Sequence, residues 1–154
     1  MQTELILDAK ATLGEGPAWD AKTQTLYWVD ILEKRIYAGT ELLAELDDFI
    51  GCLAPRKNGH LILGTRLGFA DLDPFDLTQG RPVSSKLTVL ATLQEPANNR
   101  INDGKCDPAG RFLAGTMDMG EKDPTGSLYS FDGHQPTPLL KNVTISNGLA
   151  WSPD

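Results

Sequence analysis

Short apolar runs separated by polar turn residues recur along the whole chain. The clearest runs are 26–29, 35–37, 60–63, 68–70, 111–114 and 127–131. Gly, Pro, Asn and Asp residues lie between them, which is typical of short antiparallel strands joined by turns. Helical periodicity is poor, and the best helix candidate, 40–49, is short and lacks a convincing heptad. The pattern therefore predicts an all-β protein.

A turn motif followed by an apolar strand repeats along the chain. The repeats begin at 17–20, 54–59, 106–110 and 150–154. Trp19 and Trp151 lie 132 residues apart across three repeats, which gives a mean period of about 44 residues. This period favours β-propeller blades of four short strands each. A small β-sandwich is the alternative. Because the last motif is interrupted, we expect residues 1–154 to be the N-terminal portion of a single propeller domain, truncated within a blade.

Composition and charge exclude several classes of function. Hydrophobic residues make up 40% of the chain and charged residues 23%, as in ordinary globular proteins. The net charge of −7 disfavours nucleic acid, because phosphates repel it. No N-terminal signal pattern and no apolar run of about 18 residues is visible, so we expect no membrane partner. The isolated Cys52 and Cys106 are expected to be free thiols, which favours a cytoplasmic location.

The sequence lacks several familiar catalytic and metal-binding motifs. It contains no G-x-S-x-G, no Walker A loop and no H-E-x-x-H. His60 and His134 are isolated, and each is more typical of a structural or exposed side chain than of a metal ligand. Two isolated histidines and two isolated cysteines disfavour a structural zinc site. Any metal would therefore be held by oxygen ligands.

Polar residues recur at one phase of the repeat. Glu15 lies between two glycines, the segment 99–105 is rich in hydrogen-bonding side chains, and Asn147 lies between Ser146 and Gly148. Equivalent positions of successive blades face the same central axis, so we expect Glu15, the Asn102 region and Asn147 to converge at one end of a channel. Each segment alone could be only a turn. Together their oxygen atoms favour a site for Ca²⁺ or a similar divalent ion.

Six motifs, in this order, cover essentially the whole chain: 13–20, 27–31, 99–111, 114–117, 126–129 and 145–152. They resemble the regucalcin (senescence marker protein)/gluconolactonase family. The resemblance implies a six-bladed propeller of roughly twice this length, acting as a monomer or loose dimer. It also implies hydrolysis of a sugar lactone to the open sugar acid with one divalent metal ion, which is Ca²⁺, Zn²⁺, Mn²⁺ or Mg²⁺ in different members.

The resemblance also implies roles for individual residues. Glu15 and Asn147 match the metal-binding glutamate and asparagine of the family. Arg100 and Asn102 match the pair that binds the oxygen atoms of the substrate. The catalytic residue is not identified within the chain, because the family's aspartate, a metal ligand and proposed general base, is expected beyond residue 154.

One family position departs from the pattern. A further family glutamate falls on Gly120 when residues are counted from the Gly-Thr-Met motif. Asp118 and Glu121 are the neighbouring acids, and the sequence assigns neither to the site. The alternative function is a non-catalytic propeller that binds calcium for regulation or mediates interactions, because the same ligands serve a catalytic and a regulatory metal.

Overall fold

The structure is a computed structural model that describes residues 2–66, 68–74 and 87–152. Twelve β-strands lie in these ranges. The strands are β1 (Gly14–Asp20), β2 (Thr25–Asp30), β3 (Arg35–Ala38), β4 (Glu41–Glu45), β5 (Ile50–Pro55), β6 (Leu61–Thr65), β7 (Gly68–Leu72), β8 (Leu87–Thr92), β9 (Asn99–Cys106), β10 (Phe112–Asp118), β11 (Gly126–Phe131) and β12 (Pro136–Val143).

The strands form three four-stranded antiparallel sheets. Each sheet is made of consecutive strands, in the orders β1-β2-β3-β4, β5-β6-β7-β8 and β9-β10-β11-β12. The first strands of the sheets are neighbours in space, since β1 packs against β5 and β5 packs against β9. This is the arrangement of successive propeller blades around an axis lined by their first strands. The prediction of an all-β propeller is confirmed, and the β-sandwich alternative is wrong.

The segment 40–49, the best of the poor helix candidates, is not helical and contains the edge strand β4. Ile36 of β3 pairs with Ala44, and Arg35 pairs with Glu45. Only Ala44 of this strand is fully buried, and its neighbours are exposed or half-buried. An edge strand with so little burial leaves a weak alternating pattern in the sequence, and the pairing with β3 decides its conformation.

Two hydrophobic clusters hold the sheets together. The cluster between the first and second sheets includes Val29, Ile36 and Leu63, which are fully buried. The cluster between the second and third sheets is built around Phe69, whose ring stacks on that of Phe131 at a centroid distance of 4.5 Å. Because sheets cover β5 on both faces, five of its six residues are buried.

A glycine allows the close packing of β5 on β9. A methyl group at Gly51 would lie 2.7 Å from the carbonyl carbon of Ile101 and 2.8 Å from the carbonyl oxygen of Asn102. Both neighbouring atoms belong to the backbone, so no change of rotamer could relieve the overlap. Gly51 therefore fixes the distance between the first strands of the second and third sheets.

The two cysteines are unpaired, as the sequence predicts. Cys52 is buried, Cys106 is half-buried, and both are free thiols. Burial raises the pKa of both thiols. Among the residues that the structure describes, no helix is long and apolar enough to cross a membrane.

Candidate functional site

The polar residues singled out in the sequence lie near the start of the first strands. Glu15 is the second residue of β1, and Arg100 and Asn102 lie in the first half of β9. A β-bulge interrupts the pairing of β1 with β2 just after Glu15, where Gly16 has a φ of 57°. Bulges of this kind re-aim the adjoining side chains. The carboxylate of Glu15 is exposed and makes no hydrogen bond or ion pair within the described ranges.

Arg100 is buried, with only 6% of its surface exposed. Its Nη1 donates hydrogen bonds to the backbone oxygen of Ile101 at 3.1 Å and to Oδ1 of Asn102 at 2.8 Å. Burial lowers the pKa of Arg100, against the attraction of the carboxylates of Glu121 and Glu15. An arginine side chain stays charged even so. Its remaining N–H groups make no hydrogen bond in the described part of the chain, so they can donate to a ligand.

Asn102 is held in place from two directions. Its Oδ1 accepts the hydrogen bond from Arg100, and its Nδ2 donates to the backbone oxygen of Ser146 at 3.0 Å. An amide fixed by a donor and an acceptor keeps one orientation. Asn102 therefore links the buried arginine to the segment that contains Asn147.

The segment 144–152 follows β12 and lies beside β9. The backbone N–H of Gly148 donates to the Asp103 carboxylate at 2.8 Å, and Trp151 Nε1 donates to the backbone oxygen of Cys106 at 2.9 Å. These contacts hold the segment against β9, although the segment comes about one repeat later in the sequence than β9. Asn147 itself is exposed, and its side chain makes no hydrogen bond in the described residues.

A second glycine sets the position of this segment. A methyl group at Gly115 of β10 would overlap Oγ and Cβ of Ser146. Gly115 belongs to the Gly-Thr-Met motif, but nothing in the motif alone indicates why a residue without a side chain is needed there. The structure shows that the space beside Gly115 is filled by the residue preceding Asn147.

The two acids after the Gly-Thr-Met motif have different surroundings. Asp118 is buried and accepts hydrogen bonds from the side chain of Asn98 and from the backbone N–H of Lys122 at 3.3 Å. Hydrogen bonds from the backbone of Lys122 and neighbouring donors lower the pKa of Asp118. Its carboxylate is therefore used to hold the turn after β10. Glu121 is exposed and has a backbone φ of 57°. The negative charge of its carboxylate favours the charged form of Arg100.

The two histidines lie outside this region, as predicted for structural or exposed side chains. His60 precedes β6, and its Nδ1 donates to Asp71 at 2.6 Å. Asp71 also accepts a hydrogen bond from Arg56. The sequence did not reveal this cluster, because its members are separated along the chain and belong to no motif. His134 lies in an exposed turn, where its backbone N–H donates to Asp132 at 2.9 Å.

The donor set suits a hard divalent cation, but the ligand set within the described residues is small. Glu15 offers carboxylate oxygens and Asn147 an amide oxygen, and neither is used by another hydrogen bond in the described ranges. No group of three or more His, Cys, Asp and Glu side chains in these ranges could hold a metal ion. No hydrogen bond joins Glu15 to Asn147 there. The structure brings Arg100, Asn102 and Ser146 into contact and sets Glu15 and Glu121 within electrostatic range of Arg100.

Comparisons with known proteins point to one family. Residues 13–154 match the family described as the SMP-30/Gluconolactonase/LRE-like region. Regucalcin of Danio rerio is 34% identical over 164 residues, which covers 100% of this chain and 52% of the relative. The 6-deoxy-6-sulfogluconolactonase of Pseudomonas putida is 35% identical over 150 residues, which covers 94% of this chain and 49% of the relative.

A solved structure agrees with these matches. The crystal structure of regucalcin from Agrobacterium tumefaciens, described as a calcium-binding protein, has a TM-score of 0.79 and 28% identity. The match covers 92% of this chain and 48% of that chain. The chain thus spans about half the length of each of these relatives.

Proposed function

Since the chain belongs to the SMP-30/gluconolactonase/LRE-like family, we propose that the protein hydrolyses a sugar lactone to the open sugar acid. The observation that supports this most directly is the buried Arg100 at the start of β9, fixed to Asn102 and left with free N–H groups. A buried cation with unused donors, near exposed carboxylates, suits a ligand rich in oxygen atoms. The lactonase named among the relatives is consistent with this substrate class.

Arg100 and Asn102 bind and orient the substrate in this proposal. The planar guanidinium of Arg100 donates to sugar hydroxyl or ring oxygens. Asn102 keeps one amide N–H and part of its oxygen for the ligand, because its other groups are bonded to Arg100 and Ser146. The contacts among these residues fix the donors before the substrate binds, which lowers the entropic cost of orientation.

Glu15 and Asn147 would hold a divalent metal ion. Their oxygen atoms fit Ca²⁺, Mn²⁺ or Mg²⁺ and also accommodate Zn²⁺. When bound, such an ion acts as a Lewis acid and favours the ionised form of water. The relative from Agrobacterium tumefaciens is described as calcium-binding, which is consistent with a divalent ion in this protein. We propose that an aspartate in a segment beyond residue 154 completes the ligands and acts as general base.

We propose Glu121 as the acid that faces the substrate, in preference to Asp118. The Asp118 carboxylate already accepts several hydrogen bonds within its own turn. The Glu121 carboxylate is exposed and attracts the charge of Arg100. Glu121 lies one residue after Gly120, where a plain count expects the family's acid, so the turn after β10 offers its acid at a shifted position.

The domain organisation, the cellular location and the oligomeric state are part of the same proposal. We propose that residues 1–154 form the N-terminal portion of a single propeller domain, which works in the cytoplasm as a monomer or loose dimer. The free thiols of Cys52 and Cys106 support a reducing compartment. A small sugar lactone is the only ligand that the candidate site requires besides the metal ion.

A metal-binding propeller without catalytic activity is the second candidate. The regucalcin from Agrobacterium tumefaciens is described as a calcium-binding protein, which favours this candidate. The two candidates differ in the need for Arg100, because a structural or regulatory metal does not require a buried arginine with free donors beside it. Kinetics of an Arg100 variant therefore separate them.

The test replaces Arg100 in the complete natural reading frame that contains this chain. Arg100→Ala should lower kcat/KM for a sugar lactone by about 10- to 100-fold, since a hydrogen bond from a charged group contributes about 1.5–3 kcal/mol. Arg35→Ala is the matched control, because Arg35 lies on β3 and pairs with Glu45 at the surface. Metal affinity, measured by calorimetry, should be retained in both. Unchanged kinetics in Arg100→Ala would remove this residue from the site.

A further inference from the structure

A cleft of about 660 Å³ lies between the first and second sheets. The turn between β1 and β2 (20–25) lines one side, and the turn between β5 and β6 (56–59) lines the other. Glu15 is at the start of β1 and this turn is at its end, so the strand separates the cleft from the candidate site. The volume is within the range of about 300–1,000 Å³ found for small-molecule sites.

Tyr27 indicates that this cleft binds a ligand. Its side chain is 8% exposed, packs in the core between the two sheets and lines the cleft. Its hydroxyl makes no hydrogen bond within residues 2–66, 68–74 and 87–152, whereas the hydroxyl of the equally buried Tyr129 donates to Glu95 at 2.6 Å. Arg66 Nε is the one fully enclosed side-chain N or O atom without a hydrogen bond in the described residues, so the Tyr27 hydroxyl reaches the open space of the cleft although most of its ring is buried. Tyr27 therefore offers an unused donor and acceptor to the cleft.

The charge of the cleft is opposite to that of the whole chain. Lys22, Arg56 and Lys57 line it, against one lining carboxylate, that of Asp20. The Arg56 guanidinium is already paired with the Asp71 carboxylate, so the two lysines carry the positive charge that is left for a ligand. The Asp20 carboxylate is already occupied by the turn, where it accepts hydrogen bonds from the Lys22 backbone at 2.9 Å and from the Thr23 hydroxyl at 2.8 Å. The ammonium groups of Lys22 and Lys57 form no ion pair in the described residues. In a chain of net charge −7, this local excess of cations attracts an anion.

Part of the remaining lining is apolar, beside the polar residues Thr23, Thr25 and Asn58. Leu43, Pro55 and Pro74 contribute half-buried side chains to the cleft. Apolar surface beside a cationic rim suits a ligand with an acidic group at one end and an apolar body at the other. A sugar lactone is uncharged and covered with hydroxyl groups, so it does not fit this description.

We propose that this cleft binds a small organic oxyanion with an apolar body. The acidic group lies against Lys57 and Lys22, the Tyr27 hydroxyl hydrogen-bonds to the ligand, and the apolar body covers Leu43 and Pro55. The ligand carries a carboxylate or a phosphate monoester, since a lysine ammonium pairs with either. The proposal is independent of the lactonase site, because no residue is shared between them.

The test is calorimetric titration of the complete natural reading frame with three probes. The anions are 3-phenylpropanoate and phenyl phosphate, and the neutral probe is 3-phenylpropan-1-ol. We expect the better anion to bind at least about tenfold more tightly than the alcohol, which is about 1.4 kcal/mol. The anion that binds better assigns the acidic group of the ligand.

Two variants and one control locate the binding. Lys57→Gln should weaken the better anion by about fivefold, as loss of a surface ion pair of about 1 kcal/mol would. Lys141→Gln, an exposed lysine on β12 outside the cleft, should leave binding unchanged. Tyr27→Phe should weaken binding with no loss of thermal stability, because the hydroxyl has no partner to lose.

Three results would overturn the proposal. The first is equal binding of the alcohol and the anions, or no binding of any probe at millimolar concentration. The second is an equal effect of Lys57→Gln and Lys141→Gln. The third is a Tyr27→Phe protein that binds normally, or that unfolds at a lower temperature because the hydroxyl serves the fold.

Discussion

Replacing Gly51 with alanine tests how closely the first strands of the second and third sheets are packed. The added methyl group would lie 2.7 Å from the carbonyl carbon of Ile101 and 2.8 Å from the carbonyl oxygen of Asn102. Ordinary contacts of this kind are 3.4–4 Å, so β5 and β9 must separate by about 1 Å. The movement falls on the backbone between Arg100 and Asn102, so it disturbs the candidate site as well as the core.

The expected loss of stability follows from two opposed effects. Forcing a methyl group into a packed core costs typically 1–3 kcal/mol, and backbone on the opposing side puts Gly51→Ala near about 3 kcal/mol. Alanine also restricts the unfolded chain, which stabilises by about 0.4–1 kcal/mol. The net loss is therefore about 2–3 kcal/mol. At about 2–4 °C per kcal/mol for 154 residues, that lowers Tm by about 4–12 °C.

Urea and thermal unfolding followed by circular dichroism measure this loss. Gly14→Ala is the matched control, since its methyl group would lie 3.4 Å from Ala11 Cβ and 3.7 Å from the Trp28 ring, which are ordinary distances. The control should unfold at the wild-type temperature or up to about 4 °C above it, because it gains the restriction of the unfolded chain without the overlap. If Gly51→Ala unfolds as the control does, the close approach of β5 to β9 is not as described.

Two other substitutions test buried polar contacts. Asp71→Asn weakens the shared acceptor of Arg56 and His60 and should cost about 1–2 kcal/mol at pH 7 in urea unfolding. Burial raises the pKa of Asp71, but the hydrogen bonds from His60 and Arg56 outweigh burial and hold this pKa below its ordinary value of 3.8. The stabilisation by the ionised carboxylate is therefore present above about pH 4 and is lost at lower pH. The stability of Asp71→Asn should fall less steeply with acid than that of the wild type, and parallel curves for the two proteins would contradict this. Tyr129→Phe removes the hydrogen bond to Glu95 and should cost about 1 kcal/mol at pH 7. Burial and, after it, the hydrogen bond to Glu95 raise the pKa of Tyr129 to about 12. The wild type should therefore lose this stabilisation as the pH rises from about 10 to 12. Equal stability of the wild type and Tyr129→Phe at pH 7 would refute the contribution of this hydrogen bond.

The apolar runs in the sequence predicted the strands that are buried on both faces and the strands in which apolar and polar residues alternate. The run 127–131 lies within β11, and the run 26–29 lies within β2. Strand β9 was less evident, because it contains Asn, Asp and Gly residues with low strand propensity and few apolar ones. It is nevertheless a first strand of a sheet, where polar side chains face the axis. The same polar residues that obscured the strand indicated the site.

The repeat predicted which residues of successive blades lie at the same height along the central axis, but not which of their atoms are in contact. The hydrogen bond from Asn102 to Ser146 spans 44 residues, and that from Gly148 to Asp103 spans 45, each about one repeat period. The partners could not be predicted, since they depend on close backbone approach at glycines such as Gly115. The convergence of Glu15 and Asn147 on one metal ion stays a prediction.

Acid release from a panel of sugar lactones, followed by pH-stat, tests the central claim most directly. The complete natural reading frame is assayed as purified, after EDTA treatment, and after a divalent ion is restored. The account predicts hydrolysis that EDTA abolishes and the metal ion restores. A protein that binds the metal ion but leaves every lactone at its uncatalysed rate would contradict the enzyme assignment and favour a regulatory metal-binding propeller.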